Sequence, residues 1–129
     1  MSWFLQKSLT ISASHRLPGT GGKCAELHGH TWAITVEVST EVLGKNGMVV
    51  DFHKIATAAG ELDHTHLNDT IEQPTAERLA EWVARRIGGV APHVLGISVS
   101  VEESPGSLVT YHTTTADLRR EAVHREFAR

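Results

Sequence analysis

Residues 28–38 read His-Gly-His-Thr-Trp-Ala-Ile-Thr-Val-Glu-Val, an alternation of apolar and polar side chains with a period of two. Trp32, Ile34, Val36 and Val38 all stand at even positions. This period predicts a β-strand with one buried face. His28 and His30 continue the same row, so both imidazoles are expected on the buried side, at the start of the strand.

An earlier segment, residues 3–15, has the same period. Its apolar residues stand at odd positions, interrupted only by Lys7, and His15 ends the row. If the two segments pair as antiparallel strands, His15 lies beside His28 and His30. The register is well determined, because a slip by one residue would turn both apolar rows toward solvent. Residues 16–27 contain four glycine and proline residues and are predicted to form the connecting loop.

The remainder of the chain predicts further helices and strands. The expected elements are a turn at 44–47, a short strand at 48–52, a helix at 52–61 capped by Asp51, a loop at 62–69, a helix from the Thr75 cap to Gly88 and Gly89, strands at 94–104 and 107–114, and a helix at about 115–128 capped by Thr115 or Asp117. This order predicts an α+β fold, with an antiparallel β-sheet covered on one face by helices. Because open sheet edges favour pairing with other chains, a homo-oligomer is expected.

Length and charge narrow the functional classes. The 129 residues suit a single domain, residues 1–129. The formal net charge of −3 argues against a nucleic-acid binder and against a protein of anionic membrane surfaces, so neither partner is expected. The only cysteine, Cys24, cannot form an intrachain disulfide, and the N-terminal residues lack the pattern of a secretory signal. A cytoplasmic location is therefore expected.

The three histidines on matching strand positions predict a metal site. His15, His28 and His30 would supply three nitrogen ligands, the number that catalytic zinc takes while one position stays open. Nitrogen ligands suit zinc, iron, nickel or copper and disfavour magnesium and calcium. Two alternatives stay open. Cys24 could close a structural zinc site in a non-catalytic module, or the histidines could belong to a cupin-like iron oxygenase, although the helical middle of the chain interrupts the strands of a cupin.

Cys24 lies four residues before His28 in a glycine-rich loop, next to Lys23. Nearby positive charge makes a thiol more reactive, so a thiolate acting as base or nucleophile is one interpretation. The other is a small buried side chain. Lys23 could also contact an anionic substrate.

Two acidic positions add further candidates. Asp63 and His64 could relay protons, although adjacent residues do not face each other on regular elements. Glu103 extends the apolar odd-numbered row of the strand at 94–104, whereas Glu102 points to the other side. A carboxylate in that row could bind a ligand with an amidine-like pair of N–H groups.

Taken together, the motifs resemble those of the 6-pyruvoyl-tetrahydropterin synthase / 6-carboxy-tetrahydropterin synthase family. The segments that carry the resemblance are Ser12 to Leu17, Cys24 to His30, Gly47 to Phe52, Leu62 to Asn68, Pro74 to Glu77, and Glu103-Ser104 followed by Tyr111. They occur in the family's order across about residues 4–111. Residues 112–129 extend beyond the usual end of the family core. Ser104 stands where the family usually has Thr.

The resemblance implies a fold, a cofactor and a substrate. It implies the tunnelling fold, in which subunits join their sheets into a barrel, commonly a hexamer, and one Zn²⁺ per subunit held by the three histidines. It implies 7,8-dihydroneopterin triphosphate as substrate, Cys24 as general base, and Asp63 and His64 in proton transfer. Glu103 would anchor the pterin ring, and Thr75 and Lys23 are expected to contact the substrate.

The spacing Cys-x3-His-Gly-His is similar to that of the carboxy branch of the family, which feeds the synthesis of queuosine and other deazapurines. That branch releases acetaldehyde and triphosphate and forms 6-carboxy-5,6,7,8-tetrahydropterin. The pyruvoyl branch, which usually has a longer gap after the cysteine, eliminates triphosphate and retains the side chain; it is the alternative.

Overall fold

The computed structural model describes the backbone of residues 1–128 and the side chains of residues 1–125. Its strands are β1 (Trp3–His15), β2 (His28–Thr40), β3 (Thr65–His66), β4 (Gly96–Ser104) and β5 (Ser107–Thr114). Its α-helices are α1 (Phe52–Ala59), α2 (Ala76–Val90) and α3 (Thr115–Ala128). Two short 3-10 turns, Gly22–Ala25 and Leu67–Asp69, complete these elements. None of the described helices has the length and apolar character that crossing a membrane requires.

The strands form one sheet in the order β3-β1-β2-β4-β5. All neighbouring pairs are antiparallel except β1 and β3, which are parallel. In the β1–β2 ladder His15 faces His28 and Ala13 faces His30. This is the register that the two apolar rows predicted, so the expected neighbourhood of the three histidines is confirmed.

Helices cover one face of the sheet. Helix α2 packs on β4 and β5, and α1 packs on α2 and β1. The sheet contributes Ile11, Trp32, Val36 and Val99 to the core between these layers. The opposite face carries small hydroxyl side chains. Two cross-strand hydrogen bonds lie on that face, Ser8 to Thr35 at 3.1 Å and Ser100 to Thr110 at 2.8 Å. The expected α+β architecture with a sheet covered on one face is confirmed.

Both predicted N-caps of the first two helices are present. The Asp51 carboxylate accepts a hydrogen bond from the backbone N–H of His53 at 2.8 Å. The Thr75 hydroxyl accepts one from the N–H of Arg78 at 3.1 Å. These side chains satisfy backbone donors that have no partner inside the helix, which fixes where each helix begins.

The short strand expected at 48–52 was a wrong prediction. Residues 48–51 have no strand structure, and Phe52 already belongs to α1. The apolar pair Val49 and Val50 is buried as irregular chain. The His93 ring holds it in place through a 2.6 Å hydrogen bond from Nε2 to the carbonyl oxygen of Val49. Burial of this pair, rather than strand pairing, explains the apolar run.

Helix α2 does not end at Gly88 and Gly89 as predicted, but continues to Val90. A Cβ on Gly88 would lie 2.6 Å from Cδ1 of Leu118 in α3. This glycine therefore permits the close approach of two helices instead of terminating one.

Smaller differences lie in the loop at 62–69 and at the start of the last helix. The loop contains β3, which adds a fifth strand at the sheet edge. The cap of α3 is Thr114, whose hydroxyl accepts from the N–H of Asp117 at 3.0 Å. Neither Thr115 nor Asp117 is the cap, because the Thr115 hydroxyl instead donates to the carbonyl of Val94 at 2.7 Å.

The Leu79→Ala variant is expected to unfold at lower denaturant concentration. Leu79 lies on α2 and is fully buried against the sheet. Truncation leaves a cavity that costs about 2–5 kcal/mol of the free energy of unfolding. Urea unfolding measures the loss. The matched control is Val42→Ala, because Val42 is 73% exposed and its truncation should change stability little. Equal losses in both variants would contradict the placement of the core.

Candidate metal centre

Four side chains converge at one end of the sheet: His15 of β1, His28 and His30 of β2, and Glu103 of β4. One ligand atom from each lies within 4.8 Å of all the others. The Nε2 atoms of His15 and His28 are 2.9 Å apart, and His30 Nε2 is 3.1 Å from Glu103 Oε1. The strand parities placed all four on this face, and the sheet brings them together.

Backbone carbonyls orient two of the imidazoles. His15 Nδ1 lies 2.8 Å from the carbonyl oxygen of Pro74, and His28 Nδ1 lies 2.7 Å from that of Glu26. A carbonyl oxygen only accepts, so both Nδ1 atoms carry the hydrogen. In the neutral rings, the Nε2 lone pairs of His15 and His28 then point at each other across 2.9 Å. Such a contact repels unless a cation lies between the lone pairs.

His30 provides a second observation that fits a cation-binding site. Its Nε2 is buried and has no hydrogen-bond partner among the described residues, because the nearby Glu103 carboxylate does not meet hydrogen-bond geometry. Buried polar atoms without partners are rare in folded proteins. Three imidazole nitrogens and one carboxylate oxygen suit a divalent transition metal, and zinc fits this set.

Burial keeps the first ligand in the form that binds a metal. Desolvation lowers the pKa of His15 and outweighs its hydrogen bond to Pro74, and the neighbouring His28 and His30 lower it further. The neutral ring is therefore favoured. The Trp32 indole forms the wall of the cluster, with its ring 5.0 Å from His15 and 5.1 Å from His30. Its Nε1 donates to the carbonyl of Ala13 at 3.2 Å, which fixes the indole.

Cys24 and Lys23 lie beside this cluster in sequence, on the 3-10 turn Gly22–Ala25, and both are exposed. Positive φ angles at Gly21 and Gly22, 75° and 60°, form the bend that precedes them. A hydrogen bond from the N–H of Leu17 to the carbonyl of Cys24, 2.8 Å long, closes the loop. The thiol is not among the converging ligand atoms. The arrangement in which Cys24 closes a structural site is therefore not the one found, and the fourth side chain of the cluster is Glu103.

Asp63 and His64 form a pair just before β3. His64 Nδ1 lies 3.0 Å from Asp63 Oδ1, and the His64 side chain is 82% exposed. Neighbouring residues meet here because His64 has a positive φ of 60°, which turns its side chain back toward Asp63. No hydrogen bond joins the pair to Cys24 within the described chain.

Ser12 fixes this pair to β1. Its N–H donates to Asp63 Oδ1 at 2.8 Å, and its carbonyl accepts from the N–H of His64 at 2.7 Å. The first of these bonds is the main reason why the pKa of Asp63 is lowered, with a smaller contribution from His64. Asp63 therefore stays a negatively charged carboxylate at lower pH than an ordinary aspartate does.

Several site contacts have no signal in the sequence. The carbonyls of Pro74 and Glu26 orient the rings of His15 and His28 in the candidate metal centre, yet every residue has a carbonyl. The contact that fixes the loop at 62–69 also has no signal in the sequence: the Asn68 side chain exchanges two 2.9 Å hydrogen bonds with the backbone of Arg16.

Thr75 was expected to contact a substrate; the structure shows it as a helix cap, next to Pro74. Its substrate contact stays a prediction.

An open groove of about 660 Å³ runs along the same edge of the sheet. Its lining includes His30 of the metal cluster, His64 of the exposed pair and His66. The His66 ring is held by the Ser14 hydroxyl at 3.0 Å. One surface depression therefore reaches both His30, at the start of β2, and His64 of the Asp63–His64 pair.

Comparison with known proteins gives a consistent result. The family model described as 6-pyruvoyl tetrahydropterin synthase matches residues 4–114. A 6-carboxy-5,6,7,8-tetrahydropterin synthase from Synechocystis sp. is 35% identical over 96 residues, which are 66% of this chain and 74% of that protein. An enzyme of the same name from Bacillus subtilis is 29% identical over 124 residues, 85% of each chain.

The solved structure of Caenorhabditis elegans 6-pyruvoyl tetrahydropterin synthase superimposes with a TM-score of 0.69, at 24% identity, over 88% of this chain and 96% of that one. It shows the fold, and it confirms the tunnelling fold expected for the subunit. The relatives from Synechocystis sp. and Bacillus subtilis carry the name of the carboxy branch, which the Cys-x3-His-Gly-His spacing favours. With the family model matching most of its length, the chain belongs to the 6-pyruvoyl tetrahydropterin synthase family.

Proposed function

We propose that the protein is a zinc-dependent lyase that converts 7,8-dihydroneopterin triphosphate and one water molecule to 6-carboxy-5,6,7,8-tetrahydropterin, acetaldehyde and triphosphate. The observation that supports it most is the convergence of three imidazoles with two opposed Nε2 lone pairs 2.9 Å apart. The curated relatives named for this product support the choice of reaction. Such a product would serve queuosine and deazapurine synthesis in the cytoplasm.

His15, His28 and His30 would hold the Zn²⁺. Zinc, when bound, supplies a Lewis acid that polarises oxygen atoms of the substrate side chain. Cys24 is the proposed general base, because its thiol is exposed and lies four residues before His28 of the histidine cluster. As a thiolate it takes a proton from a side-chain carbon of the substrate.

The other predicted residues have distinct roles in this proposal. Glu103 accepts two N–H bonds from the amidine-like edge of the pterin, in the fork geometry that carboxylates share with guanidinium groups. The ammonium of Lys23 meets the triphosphate, and Thr75 contacts the substrate from the start of α2. His64, oriented by Asp63, returns or relays protons.

We also propose a homo-oligomer, a hexamer in which sheets join into a barrel and active sites lie near subunit interfaces. Two features support it. The sheet ends in unpaired edges at β3 and β5, which favour pairing with further strands. Within one chain the exposed Asp63–His64 pair has no hydrogen bond to Cys24, so the residues proposed for proton transfer fit a site shared between subunits. The proposal takes residues 1–129 as one domain whose segment 112–129 extends the family core. Its partners are the pterin substrate and copies of itself, with neither nucleic acid nor membrane.

Asp63→Asn is expected to lower kcat by about 10²- to 10⁴-fold, the usual contribution of a positioned proton-transfer group. The amide keeps the shape but loses the negative charge that orients and supports the His64 ring at 3.0 Å. Steady-state kinetics of the zinc-loaded variant measure the loss, and Asp69→Asn in the same loop is the matched control. An Asp63→Asn variant with unchanged kcat would contradict the role of the pair.

The test of the function is product identification. Zinc-loaded protein is incubated with 7,8-dihydroneopterin triphosphate. The pterin products are identified by mass spectrometry, and acetaldehyde is assayed separately. Acetaldehyde together with a 6-carboxy pterin is the expected result. A 6-pyruvoyl product would assign the protein to the other branch, with the same residues in similar roles. No turnover by a metal-loaded oligomer would overturn both assignments and favour the non-catalytic zinc module.

A further inference from the structure

Glu103 lies closer to the metal cluster than its expected role requires. A residue that only anchors a pterin ring needs no contact with the metal ligands. Here Glu103 Oε1 is 3.1 Å from His30 Nε2, and it belongs to the set of four ligand atoms within 4.8 Å of one another. The contact is not a hydrogen bond, because His30 Nε2 has no hydrogen-bond partner among the described residues.

The spacing of these four atoms is close to that of a tetrahedral site. Zinc binds nitrogen and oxygen at about 2.0–2.2 Å, which places neighbouring ligand atoms at roughly 3.3–3.5 Å from each other. Two of the separations, 2.9 Å and 3.1 Å, lie slightly below that range, and every pair in the set lies within 4.8 Å. Small side-chain adjustments would therefore bring the carboxylate to the fourth position.

The backbone around Glu103 allows its side chain more than one position. The β4–β5 ladder shifts register between Glu102, which pairs with Leu108, and Ser104, which pairs with Ser107. Glu103 is thus the residue left out of the pairing, as in a β-bulge, a feature that re-aims side chains. It also lies close to the hairpin turn, where Gly106 has a φ of 89°. Its side chain is 31% exposed, so it has room to turn.

We propose that Glu103 is the fourth ligand of the metal in the substrate-free protein, and that the N–H groups of a bound pterin ring withdraw it. The proposal rests on the proposed function for its second half, the identity of the ring. On withdrawal the bond between the carboxylate oxygen and the metal breaks, and two N–H···O bonds to the ring replace it. The carboxylate keeps its charge throughout. The metal then opens to a new ligand only when a pterin occupies the site.

Azide binding to the Co²⁺-loaded protein tests the first half without any turnover. Azide needs an open coordination position, and its binding changes the visible absorption of Co²⁺. Glu103→Ala and Glu103→Gln are expected to bind azide at least about tenfold more tightly than the unmodified protein. Both should hold Zn²⁺ about 10- to 100-fold more weakly, the loss seen when even an outer-shell partner is removed. Glu102→Gln is the matched control, since its side chain points to the other face of the sheet. Equal azide and zinc affinities in the Glu103 variants and the unmodified protein would overturn the proposal.

A pterin without a side chain tests the second half. Quenching of the pterin fluorescence measures whether the ring binds, independently of the metal. The expected result is that a saturating pterin raises the azide affinity of the unmodified protein and leaves that of Glu103→Ala unchanged. If the ring binds and azide affinity stays the same, withdrawal is wrong although ligation stands. If the ring does not bind at all, the failure belongs to the proposed function and not to the ligation by Glu103.

Discussion

His28→Ala is expected to leave a folded protein that no longer retains zinc. His28 is half-buried at the start of β2, and its Nε2 lies 2.9 Å from that of His15. Removal of one of three imidazoles should weaken zinc binding by more than about 100-fold, since even an outer-shell partner contributes 10- to 100-fold. Metal analysis after dialysis should find much less than one zinc per chain. Turnover of dihydroneopterin triphosphate should disappear with the metal.

The control for this variant is His53→Ala. His53 is exposed on α1 and belongs to no ligand cluster within the described chain. It should retain zinc and activity like the unmodified protein. Circular dichroism of both variants checks that the fold is kept. A His28→Ala protein that holds a full complement of zinc after dialysis would contradict the metal centre.

Cys24→Ala is expected to retain zinc, while its turnover rate falls by about 10²- to 10⁴-fold, the usual contribution of a general base. The two effects separate because Cys24 is exposed on its own turn and is not among the converging ligand atoms. The variant should therefore equal the unmodified protein in metal content and in thermal stability. Single-turnover kinetics with the zinc-loaded variant measure the chemical step.

Cys24→Ser and Lys23→Ala sharpen that experiment. A serine hydroxyl keeps the shape but ionises far less readily than a thiol, so Cys24→Ser should be almost as inactive as Cys24→Ala. Lys23→Ala removes the neighbouring charge and keeps the thiol, so its main effect should be a higher KM for the triphosphate substrate. Full turnover by Cys24→Ala with zinc retained would exclude the thiol as base.

The strand pattern predicted most of the sheet and the convergence of the three histidines of the candidate metal centre. In a strand, parity alone fixes which face a side chain points to, and a long apolar row fixes the register of its partner. His15, His28 and His30 could therefore be placed together from their positions in the sequence. Glu103 was separated from Glu102 for the same reason, although its closeness to His30 was not foreseen.

Local patterns were less informative where burial occurs without regular structure. Val49 and Val50 were interpreted as part of a strand because they are apolar, but they are buried as irregular chain held by His93. Gly88 was interpreted as a helix stop, but it gives space to Leu118, a residue thirty positions later. Both errors have one cause, because a residue's type does not show which distant element will pack against it.

The sequence by itself determined the sheet, its covered face, the imidazole cluster and the family, because strand parity and ordered motifs are properties of the chain alone. Only the tertiary structure decided how those groups are held. It supplied the carbonyls of Pro74 and Glu26 as partners for two rings, and it brought the Glu103 carboxylate next to the three imidazoles. It also paired Asp63 with His64 through a positive φ angle and a backbone contact to Ser12. Carbonyl groups and backbone angles occur at every residue, so their use at a site depends on the packing of segments that are distant in the chain.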